Sequence, residues 1–348
     1  MNMTTHEFVQ PFIIPVFIPH AGCPHQCAFC NQRIITGNAG TVPSTETVRS
    51  QIQHFLKFKR PYHSLRQIAF YGGNFLGLED ASLVRLLKAA SQFVASGEVD
   101  SLRFSTRPDS INQDRLDILK NFPIKTVELG AQSMDDSVLR MSLRGHTALD
   151  TETACDTLRQ HGYELGIQLM IGLPGDSDDS AMNTAIKTAA LSPDFVRIYP
   201  TIVLKNSLLA RWYRQGRYTP LSLESAVTLA KNLYLFFRQK RIPVIRMGLQ
   251  SSEDLDNDAT ILAGPHHPAF GHLVHSEIFL EMAKKELRSK IKPIREAVLF
   301  IHPCSFSKMQ GLKSANIKIL KREFQIGKIE LVSDASISSD TLRVKVYE

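Results

Sequence analysis

Residues 13–32, IIPVFIPHAGCPHQCAFCNQ, join a short apolar run to three cysteines. The run Ile13–Ile18 is rich in β-branched residues and stops at Pro19, which predicts a buried strand. A targeting segment would have a basic start and an unbroken apolar centre. Here Glu7 precedes the apolar stretch 8–23, no Lys or Arg does, and Pro11, Pro15 and Pro19 interrupt it. What decides the fold is the junction. Cys23, Cys27 and Cys30, spaced C-x3-C-x2-C, follow the strand directly.

Outward from that junction, strand-like and helix-like segments alternate. After Ile13–Ile18 the strand candidates are Gln67–Tyr71, Ser101–Ser105, Thr126–Gly130, Gly166–Ile171, Phe195–Tyr199 and Val244–Met247. Helical periodicity marks Thr45–Lys57, Ala81–Ala95, Thr151–His161, Asp179–Ala190 and Leu223–Lys240, with Gly162 as a C-cap. Repeated β-α units predict an α/β fold with a parallel sheet and outer helices, a closed or partly closed (β/α) barrel. In such folds chemistry gathers at the C-terminal ends of strands. The cysteines follow strand one and Gly72-Gly73-Asn74 follows strand two. Thr106-Arg107-Pro108-Asp109 follows strand three, Gln132-Ser133 strand four, and Gly172-Leu173-Pro174-Gly175 strand five. All these motifs fall on one rim.

After residue 283 the rhythm changes. A charged stretch, Lys284–Lys292, reads as a linker. Beyond it Glu296–His302, Lys328–Val332 and Leu342–Tyr347 read as strands and Ile317–Phe324 as a helix. The expected organisation is a barrel over residues 1–283 and a small α+β domain over 284–348. The chain's net charge of +7 lies wholly in the second part, where 14 Lys and Arg face 7 Asp and Glu. That asymmetry points to a polyanionic partner, RNA or DNA, against the plainer reading of a solvated basic face. No apolar run reaches the roughly 18 residues that cross a bilayer, so no membrane partner is expected. Cys155 and Cys304 stand alone, so the five cysteines make a poor disulfide framework and suit a reducing, cytoplasmic setting.

Two readings of the cysteine trio stand. Structural zinc would need a further ligand such as His20, His25 or Cys304. A cubane [4Fe–4S] cluster on three thiolates would leave its fourth iron to a non-protein ligand. Four histidines, His266, His267, His272 and His275, form a second cluster, expected to be structural or at the surface. Trp212 and Tyr213 are expected in the core.

The spacing C-x3-C-x-aromatic-C at a barrel mouth resembles the signature of radical S-adenosylmethionine (SAM) enzymes. The resemblance implies a partial (β/α) TIM-type radical-SAM barrel, a [4Fe–4S] cluster on Cys23, Cys27 and Cys30, and SAM chelated to the open iron. It implies that Phe29 covers the cluster. Gly72 and Gly73 resemble the family's GGE motif, with Asn74 in place of the acid, and Gly172 fits the turn that backs the adenine. Gln132, Arg144 and Gln168 match positions that contact ribose and carboxylate in the related oxygen-independent coproporphyrinogen oxidases. Asn74→Ala is then expected to weaken SAM binding and leave the iron in place.

Further stretches resemble the catalytic subunit of Elongator and its prokaryotic relatives, which modify the wobble uridine of tRNA. They are STRPDSI (105–111), VELGAQS (127–133), RGHT (144–147), RIYPTIVLKNSLLARWYRQGRY (197–218) and GPHHPAFGHL (264–273). The likeness covers about residues 10–285 and includes no Gly-rich acyl-CoA loop, so acetyl-coenzyme A chemistry is not expected to carry over. The stretch KMQGLKSANIKIL (308–320) resembles the helix-loop-helix core of a KH RNA-binding domain, with Ser314 in place of the loop's final glycine. That resemblance makes Lys308, Gly311, Lys313, Lys318, Lys321 and Arg322 candidate RNA-binding residues. The reading implied is a radical SAM enzyme acting on RNA, with tRNA as partner and ferredoxin or flavodoxin as electron donor. The alternatives are a radical enzyme for a small molecule such as a porphyrin, and a non-catalytic iron–sulfur RNA-binding protein.

Overall fold

The computed structural model describes residues 11–18, 22–31, 42–58, 65–249, 260–290 and 294–347. Strand β1 is Phe12–Phe17, followed by helix α1 (Thr45–Leu56), β2 (Arg66–Tyr71), α2 (Asp80–Ala95), β3 (Ser101–Thr106) and α3 (Gln113–Leu119). Next come β4 (Ile124–Gln132), α4 (Asp136–Met141), α5 (Ala148–Gln160), β5 (Glu164–Ile171), α6 (Asp178–Ala190) and β6 (Phe195–Pro200). The short strand β7 (Val203–Leu204), α7 (Leu208–Arg214), α8 (Leu223–Gln239), β8 (Val244–Met247) and β9 (Ile261–Ala263) complete this part.

Seven strands form one parallel sheet in the order β1-β2-β3-β4-β5-β6-β8, curled into a half-barrel. Pro15 is tolerated because β1 is an edge strand, pairing only with β2. Central strands are buried on both faces, as in β2, where Gln67 to Phe70 are all buried. Phe70 stacks on Phe75 at 4.6 Å, and Phe75 meets Phe104 at 5.0 Å. Helix starts are capped as their sequences require. Ser44 accepts from the Thr47 amide, and Thr147 with Asp150 and Ser177 with Ser180 form reciprocal boxes. The sequence-based strands are found within two residues at each end.

The chain divides into two compact units, Met1–Ser222 with Leu233–His266, and Leu223–Asn232 with His267–Glu348. In the second unit α9 (Phe270–Arg288) precedes β10 (Glu296–Ile301), α10 (Phe306–Gln310), α11 (Ala315–Phe324), β11 (Lys328–Ser333) and β12 (Leu342–Tyr347). The strands make a sheet in the order β11-β10-β12, parallel on one side and antiparallel on the other. Phe279, Ala283 and Leu287 of α9 share a core with Leu299, Ile301, Met309 and Leu320.

Helix α9 corrects the linker reading. Lys284 to Arg288 are helical, and the expected boundary at 283/284 falls inside α9. Residues 291–293 at the end of the expected linker lie outside the described residues, as does His20. The helix was hidden because its buried positions, Phe270, Val274, Ile278, Ala283 and Leu287, are interleaved with His, Glu and Lys.

Candidate active site

The cysteine loop is fixed by backbone before any side chain acts. Gly22, at φ +83°, and Gly77 cross at contact distance. A Cβ on Gly77 would lie 1.9 Å from the Gly22 carbonyl oxygen, and one on Gly22 would lie 2.5 Å from that of Asn74. Further along, the Ala28 amide donates to the Ser142 carbonyl (3.0 Å), and the Leu209 amide donates to the Ala28 carbonyl (2.8 Å). Segments over one hundred residues away therefore clamp the loop on both sides.

Asn74 completes the clamp. Its Nδ2 donates to the Gly22 carbonyl and to Ser110 Oγ, both at 2.8 Å. Its Oδ1 accepts from Thr106 Oγ1 (2.7 Å) and the Arg107 amide (3.1 Å). All four hydrogen-bonding capacities of the carboxamide are satisfied inside the protein, and the residue is 1% exposed. Asn74 lines the same cavity as the three cysteines, and its side chain braces the loops after β1, β2 and β3. Its backbone amide bonds Cys23.

Cys23, Cys27 and Cys30 line one cavity of about 370 Å³ at the C-terminal ends of the strands. Arg144 Nη1 donates to Cys27 Sγ at 3.3 Å, and Arg107 Nη1 reaches the same sulfur at 4.0 Å. Arg107 is held by a two-point pair to Asp109 (2.9 and 2.7 Å), and Arg144 Nη2 by the Gly130 carbonyl. Burial, then the neighbouring Cys27, pushes the Cys23 thiol up, while Arg107 and Arg144 pull it down. Such N–H donors beside sulfur fit thiolates that share the negative charge of a cluster. Among the described residues, no three His, Cys, Asp or Glu groups gather closely enough to hold one metal ion. A cubane sets each thiolate on a different iron atom, and the donor set fits that group. His146 beside Arg144 is buried, which with the arginine's charge lowers its pKa to about 4 and keeps it neutral.

Behind the cavity lining of Tyr71, Gln168 and Arg197 lies a charged network that sequence reasoning missed. Glu128, wholly buried in β4, meets Arg103 Nη2 at 3.0 Å and Arg197 Nε at 2.8 Å. It also accepts from Tyr71 Oη (2.7 Å) and Gln168 Nε2 (2.8 Å). Burial opposes ionisation, but the two guanidiniums win and hold the carboxyl below the ordinary range. Arg246 of β8 lines the same cavity, donating to the Gly248 (3.2 Å) and Leu249 (3.0 Å) carbonyls. A signal was present in the sequence: LRF, VEL, VRI and VIRM each set one charge inside an apolar strand.

Of the other expected site residues, Phe29, Gly72, Gly73, Gln132, Arg144 and Gln168 line the cysteine cavity. Gln132 takes a left-handed φ of +66°, and its Oε1 is buried without a partner, as is Arg144 Nε. Gln168 Nε2 is engaged with Ser105 and Glu128. Gly172 departs from expectation. It lines a separate hollow, its amide donates to Asp176 (3.0 Å) and its carbonyl accepts from Tyr218 Oη (2.6 Å). Tyr213 is 39% exposed, whereas Trp212 is partly buried against Val203, Leu209 and Ala210. In the second unit Gly311 is buried, packed so that a Cβ would lie 3.0 Å from Ser276 Oγ and Asn316 Cγ. Lys313, Lys318 and Arg322 are exposed, Lys308 and Lys321 half-buried. His267 Nδ1 accepts from the Ala269 amide, a turn contact.

A parallel half-barrel whose first strand leads directly into a three-cysteine loop is the architecture of the radical SAM enzymes, and the chain belongs to the radical SAM superfamily. Residues 17–186 match that superfamily and residues 193–279 its radical SAM C-terminal domain. Its cofactors are a [4Fe–4S] cluster and SAM. An uncharacterized protein of Methanocaldococcus jannaschii is 31% identical over 233 residues, covering 63% of this chain and 69% of that protein. The tRNA uridine(34) acetyltransferase of Dehalococcoides mccartyi is 26% identical over 230 residues, 57% of this chain and 50% of that one. The solved structure of Methanocaldococcus infernus Elp3 with an N-terminal deletion shares the fold. Its TM-score is 0.60 at 21% identity, covering 79% of this chain and 63% of that one. The chain spans about half the length of the tRNA uridine(34) acetyltransferases it matches. No helix among the described residues is long and apolar enough to cross a membrane.

Proposed function

We propose that this protein is a cytoplasmic radical SAM enzyme that modifies RNA, with tRNA as substrate and ferredoxin or flavodoxin as electron donor. The observation that carries the radical chemistry is the clamped loop of Cys23, Cys27 and Cys30, facing Arg107 and Arg144 in one cavity. When bound, the cluster supplies the electron that cleaves the sulfonium of SAM. The three thiolates hold it, and the two arginines offset their charge. The orphaned Gln132 Oε1 and Arg144 Nε supply an acceptor and a donor for the polar groups of SAM. The buried Glu128 network holds Tyr71, Gln168 and Arg197 on the cavity lining, so the cavity needs little reorganisation during reaction.

The RNA reading is supported by the tRNA-directed relative and by the second unit. Lys318, Lys321 and Arg322 stand at i, i+3 and i+4 on α11 and share a face, and none has an ion-pair partner among the described residues. Lys313 at φ +52° and Ser314 at φ +60° give the preceding loop consecutive left-handed residues, which set the exposed Lys313 on the surface just before α11. The packing of Gly311 makes it the pivot of that loop.

The test is protein reconstituted anaerobically with iron and sulfide, reduced, and given SAM with and without total tRNA. Formation of 5′-deoxyadenosine that accelerates with tRNA is expected. Formation without acceleration would move the substrate to small molecules. No formation from a protein with a full cluster would leave an iron–sulfur RNA-binding protein.

A further inference from the structure

The hollow that takes Gly172 away from the cysteine cavity has a volume of about 510 Å³ and lies wholly in the first unit. Met141, Leu143, Leu173 and Trp212 give it apolar walls, and Arg140 and Arg217 stand on its lining. Two of those walls are open to solvent: Met141 is 53% and Leu143 is 44% exposed. The Arg217 guanidinium lies 5.6 Å from the Trp212 ring centroid. Residues 208–218, LLARWYRQGRY, hold three arginines, two tyrosines and a tryptophan and no acid. Arg211 and Arg214 are three apart on α7 and share its exposed side. None of Arg140, Arg211, Arg214 and Arg217 has a carboxylate partner among the described residues. Asp176, the carboxylate lining the hollow, is turned to the Gly172 and Ser177 amides and Ser180 Oγ.

We infer that this hollow and the α7 arginines form a second site on the barrel unit that binds a single-stranded RNA segment, a base entering beside Trp212 and the phosphates meeting Arg211, Arg214 and Arg217. Unpaired cations interleaved with aromatic rings meet both needs of a single strand, a charged track for phosphates and π faces for bases. The hollow falls within the size range of small-ligand pockets and has room for a nucleoside. An apolar protein partner would instead bury four guanidiniums without counter-charges, which is costly. The inference rests on RNA being the substrate class, yet it is separable from it because the site lies outside the cysteine cavity.

Trp212 is the chain's single tryptophan, so its emission reports on the hollow. The probe is a single-stranded RNA dodecamer of mixed sequence, followed by Trp212 emission and, with a fluorescein label, by anisotropy between about 50 and 200 mM salt. Saturable quenching is expected. Arg211→Gln/Arg214→Gln/Arg217→Gln should weaken binding about tenfold or more and lower the log–log salt slope by roughly 2. Met141→Glu, a change at an exposed position, should remove the quench and weaken the binding seen by anisotropy. Iron content checks that each variant is folded. RNA that fails to bind, or that binds the triple variant as it binds wild type with Trp212 emission unmoved, overturns the inference. If tRNA accelerates 5′-deoxyadenosine formation while the triple variant binds normally, only this inference falls. If RNA quenches Trp212 and never accelerates SAM cleavage, the RNA-modifying reading falls and the binding site stands.

Discussion

Arginines of the barrel and cations of the second unit carry the same charge under opposite physics. Arg103, Arg107, Arg144 and Arg197 are buried, or nearly so, and each is aimed by a named partner: Glu128, Asp109 or a backbone carbonyl. Lys313, Lys318 and Arg322 are exposed and unaimed. The first set works at short range in a poorly screened interior, where position is decisive. The second works through water, where charge count and salt concentration are decisive. Single substitutions should therefore be severe in one place and mild in the other.

The sharpest break is Cys27→Ala. It should abolish cluster assembly, read as loss of iron and of charge-transfer absorbance. A variant that keeps a full cluster would remove Cys27 from the ligand set. Next is Glu128→Leu, which leaves Arg103 and Arg197 buried without their anion and should cost about 3–5 kcal/mol in urea unfolding. The pH dependence sharpens this. The folded pKa of Glu128 is depressed, so its contribution is complete above the ordinary carboxylate range and is lost as pH falls through the folded value. The variant should lack that acid limb.

Asn74→Ala follows, at about 1–3 kcal/mol for buried groups left unpaired. Because the carboxamide ties down Gly22, iron occupancy should fall together with SAM binding. Full iron with weak SAM binding would instead support direct contact between Asn74 and SAM. Mildest is Lys318→Gln/Lys321→Gln/Arg322→Gln. Stability should stay within about 0.5 kcal/mol. The log–log salt slope of tRNA binding should drop by roughly 2 to 3. A large stability loss there would mean these cations are structural and would collapse the comparison.

The sequence made the alternating strands, the cysteine loop and the rim position of Gly72 and Gln132 legible, because periodicity and spacing are local properties, while Arg144 came from the family resemblance. It did not reveal what Asn74 does, since its four partners come from Gly22, Thr106, Arg107 and Ser110 and meet only in the fold. The Glu128 network was visible as lone charges in apolar strands, but which strands adjoin was needed to pair them. Gly172 sits at a strand end like the other motifs, yet Tyr218 and Asp176 draw its turn into a different hollow. Helix α9 escaped because a buried stripe with polar interruptions resembles a charged linker.

The double tether on Ala28 has a consequence for maturation. Ser142 and Leu209 reach the loop from positions 114 and 181 residues downstream. Those hydrogen bonds need no cofactor, but they require most of the barrel to be in place. The cluster's seat is therefore complete only once most of the barrel has folded, whereas small metal domains are shaped by the ion itself.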